Sequence, residues 1–253
     1  MSEAVRYALV GLVILATHFQ QGVTGFGCTV LALPLVTLLV GIHVAVPVLA
    51  IQGFILALLI VIQARRHIVW REFGHMTLLM AVGMPVGMWM YGRLPESRLE
   101  LALAGFMLVV GIQGLVAGCR AGCAAACPPG QPGWLAQSLL PLGGICHGAF
   151  ASGGPLVVVY ATRALTGKAA FRATLCLLWV ALGAILIARW AVTRTLDAEI
   201  LRVSAICLPF TAGGMIVGTI LHDRVDEVFF RRMVYAVLIL SGLALVWYAL
   251  VHK

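Results

Sequence analysis

Apolar stretches of helical length recur along this chain between short clusters of charge, and that alternation predicts membrane helices at about 7–40, 43–63, 73–92, 99–117, 136–165, 169–190, 199–221 and 230–251. A helix needs about 20 mostly apolar residues to cross the hydrocarbon core, so the pattern reads as about eight segments of an all-α integral membrane protein. The connections are short except around Gly118–Gly133. That stretch divides the chain into a first membrane repeat at 1–117, a linker at 118–135 and a second membrane repeat at 136–253. Met1–Tyr7 and the apolar run behind it are taken into the first segment, because no small-x-small cleavage site precedes a polar mature chain.

The first segment of each half is too long for one crossing. Roughly 34 residues would run about 50 Å as a straight helix, against a core of about 30 Å, so each must tilt, break or re-enter. The polar, glycine-rich middle marks the break: His18-Phe19-Gln20-Gln21-Gly22-Val23-Thr24-Gly25-Phe26-Gly27 in one half, and Gly143 to Pro155 in the other. Glycine permits positive φ, and Pro155 suits the first turn of a restarted helix. Irregular backbone at membrane depth survives only inside protein or beside a wet cavity, so the two breaks are expected to face each other at a binding site.

The halves look duplicated. An offset of about 126 residues pairs Gly22 with Gly148, Gly27 with Gly153 and Gly41 with Gly167. Farther along, an offset of about 131 pairs Gly83, Met84, Val86 and Gly87 with Gly214, Met215, Val217 and Gly218, then Arg93 with Arg224 and Glu96 with Glu227. Internal repeats with a site between them are a hallmark of secondary transporters.

Composition narrows the chemistry. The chain is 62% hydrophobic and 10% charged, which excludes an ordinary soluble domain. The net charge of +8 is scattered in ones, twos and threes without a basic stripe, so anionic lipid headgroups and an anionic substrate explain it better than nucleic acid. All nine acidic residues fall at termini, loops or segment ends. Cation pathways usually carry carboxylates inside the membrane, so their placement favours an anion. Cys119, Cys123 and Cys127 lack a fourth ligand nearby; no metal and no cofactor is expected.

At the two breaks, Gln21-Gly22-Val23-Thr24-Gly25-Phe26-Gly27 with Leu33-Pro34-Leu35, and His147-Gly148-Ala149-Phe150-Ala151-Ser152-Gly153-Gly154-Pro155, make the chain resemble the TauE/SafE family of membrane anion exporters. The resemblance covers essentially the whole chain and implies export of sulfite or an organosulfonate (sulfoacetate-like) across the cell's inner membrane by a multi-pass protein. The second half departs from the family habit in having Tyr160 where a Pro is usual, and Arg172-Ala173-Thr174-Leu175 where a small-residue-Thr-Ser pattern opens the next helix.

An anion can be held by half-helix N-termini and neutral donors. The expected substrate site is Gln21, Gly22, Thr24, Gly25 and Gly27 with His147, Gly148, Ser152, Gly153, Gly154 and Arg172, and the expected proton relay is His147 with His18. Gln21 and His147 occupy equivalent repeat positions. The expected partners are a small anionic substrate (sulfite, organosulfonate or carboxylate) and the lipid bilayer; a homo-oligomer is compatible with the pattern. Besides coupled alternating-access transport, an anion channel or uniporter fits the same residues. An intramembrane hydrolase using Ser152 fits poorly, because a G-x-S-G motif would need Gly where Phe150 stands. Gln52 reads equally as a pathway residue or an interhelical hydrogen bond, and Trp70, Trp134, Trp190 and Trp247 read as interfacial belt residues.

Overall fold

The computed structural model describes residues 2–24, 27–120 and 133–221, with positions 239, 243, 246 and 247. The regular structure among them is all helical: α1 Glu3–Thr24, α2 Cys28–Val40, α3 Ile42–Ala64, α4 Trp70–Arg93, α5 Glu96–Arg120, α6 Trp134–Phe150, α7 Gly154–Ala164, α8 Lys168–Val192 and α9 Ala198–Leu221, with a short 3-10 turn at Arg65–His67. Four of these stretches are long and apolar enough to cross a bilayer: Ile42–His67, Trp70–Arg93, Ala169–Val192 and Ala198–Gly218. Most of the predicted segment at 230–251, most of the 118–135 linker, and Gly25, Cys123 and Cys127 lie outside the described residues.

Both long first segments are interrupted where the glycine clusters fall. α1 gives way to α2 through Gly27 at φ +91°. α6 ends on Ala151, held at φ +51° while its N–H donates to the His147 carbonyl at 2.8 Å. With 13 and 11 residues, α2 and α7 rise only about 20 and 16 Å, too little to cross alone. Each turns back on its predecessor. A Cβ on Gly143 of α6 would lie 3.3 Å from Val157 Cγ2 of α7, and α1 packs along α2 in the same way. The long segments are therefore helical hairpins, not tilted straight rods.

Side-chain ties at the helix ends show where each hairpin opens. At one rim the Val69 N–H donates to Thr174 Oγ1 at 3.0 Å, and Tyr160 Oη donates to Glu72 Oε2 at 2.8 Å, so the end of α7 sits with the starts of α4 and α8. At the opposite rim the Ile42 N–H donates to Glu96 Oε1 at 3.2 Å and the Tyr91 hydroxyl to the His43 carbonyl at 3.2 Å. Trp190, near the end of α8, packs on Tyr91 there, and beyond the short connection to α9 Arg202 pairs with Glu3 at 3.9 Å. The α1–α2 hairpin thus opens on the rim opposite to the α6–α7 hairpin. Trp190 corrects a sequence expectation: it is 1% exposed, because the end of α8 is covered by α4, whereas Trp70, Trp134 and Trp247 are exposed.

The closest helix contacts join the halves crosswise, and glycine makes them. α6 runs alongside α4 with Gly83 against the Pro141 carbonyl, Gly87 against Ile145, Gly144 against Met80 and Gly148 against Met84. α1 runs alongside α9 with Gly214 against the Leu15 carbonyl, Gly218 against Phe19 and Gly22 against Met215. The first four-residue register maps onto the second at the offsets of about 126 and 131 found in the sequence. Small residues four apart are what allow helix backbones to approach this closely in lipid, where packing rather than hydrophobicity drives association.

Placing a methyl at these contacts must push the helices apart. Gly87→Ala and Gly218→Ala are each expected to destabilise the protein by about 1–3 kcal/mol, read as a lower melting temperature in detergent. Gly105→Ala, where a Cβ meets nothing within 4 Å, serves as the control and should leave melting unchanged or raised.

Candidate functional site

The two hairpin turns meet across a cavity of about 50 Å³. Gln21 and the first turn of α2, from Gly27 to Val30, form one wall; His147, Ala151, Ser152, Gly153 and Gly154 form the facing wall. α3 and α8 close the sides with Gly53, Phe54, Trp179 and Gly183. A single water needs roughly 10–15 Å³ of such space, so the cavity has room for a few waters or one small oxyanion.

Its polar groups are buried and unspent. Gln21 and Ser152 are each 3% exposed and His147 5%, yet Gln21 Oε1, Ser152 Oγ and both ring nitrogens of His147 have no hydrogen-bond partner. Leaving such a group unsatisfied costs about 1–3 kcal/mol. Several around one void mark a place built to be filled by something polar. The imidazole is held flat against Trp179, with ring centroids 5.5 Å apart and planes 25° from parallel, so its nitrogens are oriented by stacking and not by hydrogen bonds.

Two helix N-termini add to the site. Neither α2 nor α7 carries a side-chain N-cap, so their first-turn N–H groups lack partners within the helix and their positive dipole ends border the cavity. The cap positions, Gly27 and Gly153, are equivalent in the repeat alignment. No Lys, Arg, Asp or Glu stands among the described lining residues.

Of the residues singled out in the sequence, Gln21, Gly27, His147, Ser152, Gly153 and Gly154 converge on this cavity. Gly22 and Gly148 lie at the helix crossings. His18 is fully buried, with Nδ1 bonded to the Ile14 carbonyl at 2.9 Å and its Cβ facing Gly214; it is not among the lining residues. Arg172, half-buried on α8, is also off the described wall. The Thr24 side chain lies outside the described residues. Gln52 is an interhelical strut: Nε2 donates to the Ser204 carbonyl at 2.7 Å and Oε1 accepts from Thr211 at 2.8 Å. Trp179, Phe54, Gly53 and Gly183 escaped the sequence reading, since isolated residues in unbroken apolar helices carry no motif.

This contrast between spent and unspent polar groups predicts opposite effects on stability. Ser152→Ala is expected to leave melting unchanged or raised, because the hydroxyl has no partner to lose. Gln52→Leu, which strands the Ser204 carbonyl and the Thr211 hydroxyl, should lower stability by about 1–3 kcal/mol. Equal losses in a thermal melt of the two variants would contradict the assignment.

Comparison with known proteins adds a lineage to this geometry. The profile of the family described as Sulfite exporter TauE/SafE matches residues 9–245. A relative from Comamonas testosteroni, named Probable inner membrane transporter protein TsaS, is 31% identical over 182 residues, covering 71% of this chain and 73% of the relative. No solved structure matches the chain.

Proposed function

This chain belongs to the sulfite exporter TauE/SafE family, and from that premise we propose that it exports a small anion, sulfite or an organosulfonate, by alternating access at the cavity between its two hairpins. The coarser statement, a membrane transporter, follows from the family and from a relative named as an inner membrane transporter. One observation carries the finer one: unpaired polar side chains from both hairpins and two uncapped helix N-termini surround one small void in the protein.

The organisation fits that role. Residues 1–117 and 136–253, joined by 118–135, are read as repeats of one unit, supported by the residue-by-residue match of the two glycine crossings. Hairpins that open on opposite rims make the repeats inverted, and inverted repeats give a transporter two related states that expose one site to either side in turn. Rocking of one hairpin and its partner helix against the rest would open the cavity to one rim while closing it to the other. Within the cavity the N–H groups of α2 and α7, the His147 ring and the Ser152 hydroxyl bind the anion without a fixed cation. Such a site can release what it holds. His147 is also the titratable group best placed to carry a coupling proton.

Hydrolysis is disfavoured by the same geometry. The Ser152 and His147 side chains make no hydrogen bond to each other or to any other protein group, so the serine lacks the adjacent base that activates a nucleophile.

His147→Ala and Gln21→Ala are each expected to slow sulfite transport in proteoliposomes by roughly tenfold or more, the loss of one or two hydrogen bonds to a charged ligand, without lowering the melting temperature. Wild-type rates in both variants would remove the site from the cavity. A rate that rises with an imposed pH gradient distinguishes coupled export from a channel or uniporter.

A further inference from the structure

We propose that the cavity selects anions of a single negative charge, and among them favours those carrying a hydrogen-bond donor of their own, such as hydrogensulfite or a hydroxyalkanesulfonate. The inference rests on the reading of the cavity as the transport site and specifies its ligand.

Charge is the first part. Among the described lining residues nothing bears a formal positive charge. The compensating potential comes from the N-termini of α2 and α7, each equivalent to roughly half an elementary charge, so together they offset about one. Arg172 stands off the wall, so a second negative charge has no direct counterpart among the described lining residues. The cost of desolvating an ion grows with the square of its charge, about fourfold for a dianion. Sulfate, sulfoacetate and fully deprotonated sulfite are therefore disfavoured on a wall that suits a monoanion.

The kind of polar atom left unpaired is the second part. Gln21 Oε1 can only accept a hydrogen bond; a neutral imidazole has one donor and one acceptor nitrogen; the Ser152 hydroxyl does either. All of these atoms are buried without partners. An anion with acceptors alone would satisfy the donors and leave the Gln21 oxygen and one His147 nitrogen stranded. An anion with its own O–H can pair with one of those as well. A cavity with acceptors among its orphaned atoms is thus complementary to an acid or hydroxylated anion.

Binding to the purified protein in detergent at one fixed pH tests this, using probes whose charge does not change near neutrality: 2-hydroxyethanesulfonate, ethanesulfonate, sulfate and ethane-1,2-disulfonate, with sulfite as the reference ligand. The hydroxylated monoanion is expected to bind roughly three- to tenfold more tightly than ethanesulfonate, and both dianions roughly tenfold or more weakly than ethanesulfonate. Gln21→Leu should narrow the gap between the two monoanions. Sulfate or the disulfonate binding as tightly as ethanesulfonate would overturn the charge rule, and a gap undiminished in Gln21→Leu would overturn the acceptor rule. If sulfite and all four probes fail to bind, the cavity is not an anion site at all, which is a different failure from binding without this selectivity.

Discussion

In hydrocarbon, two helices gain little by hiding apolar side chains from each other, so they stay together only where their backbones come close enough for dense packing. Here that closeness rests on glycine facing carbonyl oxygen: Gly83 and Gly87 of α4 against α6, and Gly214 and Gly218 of α9 against α1. The partners come from opposite halves of the chain. Each hairpin is therefore gripped by the third segment of the other half, and neither half can place its own hairpin without its counterpart. Position, depth and mutual orientation of the two hairpin turns all depend on these crossings.

The binding geometry follows from that grip. The chain breaks just beyond the crossing glycines Gly22 and Gly148, so the N-termini of α2 and α7 are delivered to the same small space from opposite rims. Polar side chains there find no partner within the protein: Gln21, His147 and Ser152 keep unpaired atoms, while Gln52, a short distance along α3, spends both ends of its amide on α9. That division separates groups that hold helices together from groups left unpaired around the cavity.

Much of this was legible in the residues. Segment lengths and glycine clusters located both breaks to within a few residues. The use of the Gly-Met-x-Val-Gly runs was not legible, because a repeat alignment relates positions within equivalent segments and says nothing about which segments touch. Their four-residue glycine spacing was the available signal, since it marks close helix approach. His18 and Gly22 looked like site residues because they flank the break, yet both face the crossing with α9. Trp190 looked like a belt residue because it closes a helix, and only tertiary packing under α4 reveals it as buried. Trp179 and Gly183 sit in an uninterrupted apolar helix, where nothing in the local pattern distinguishes a cavity wall from core.

Locating a bound anion tests the central claim, that one site is shared by the two hairpins, most directly. Selenite is the suitable stand-in for sulfite, since its selenium can be placed by anomalous scattering in a crystal of the complex. A single selenium peak between Gly27–Val30 and Ser152–Gly154, within hydrogen-bond reach of His147, is the expected result. A peak at either rim, or at one hairpin without the other, would contradict it.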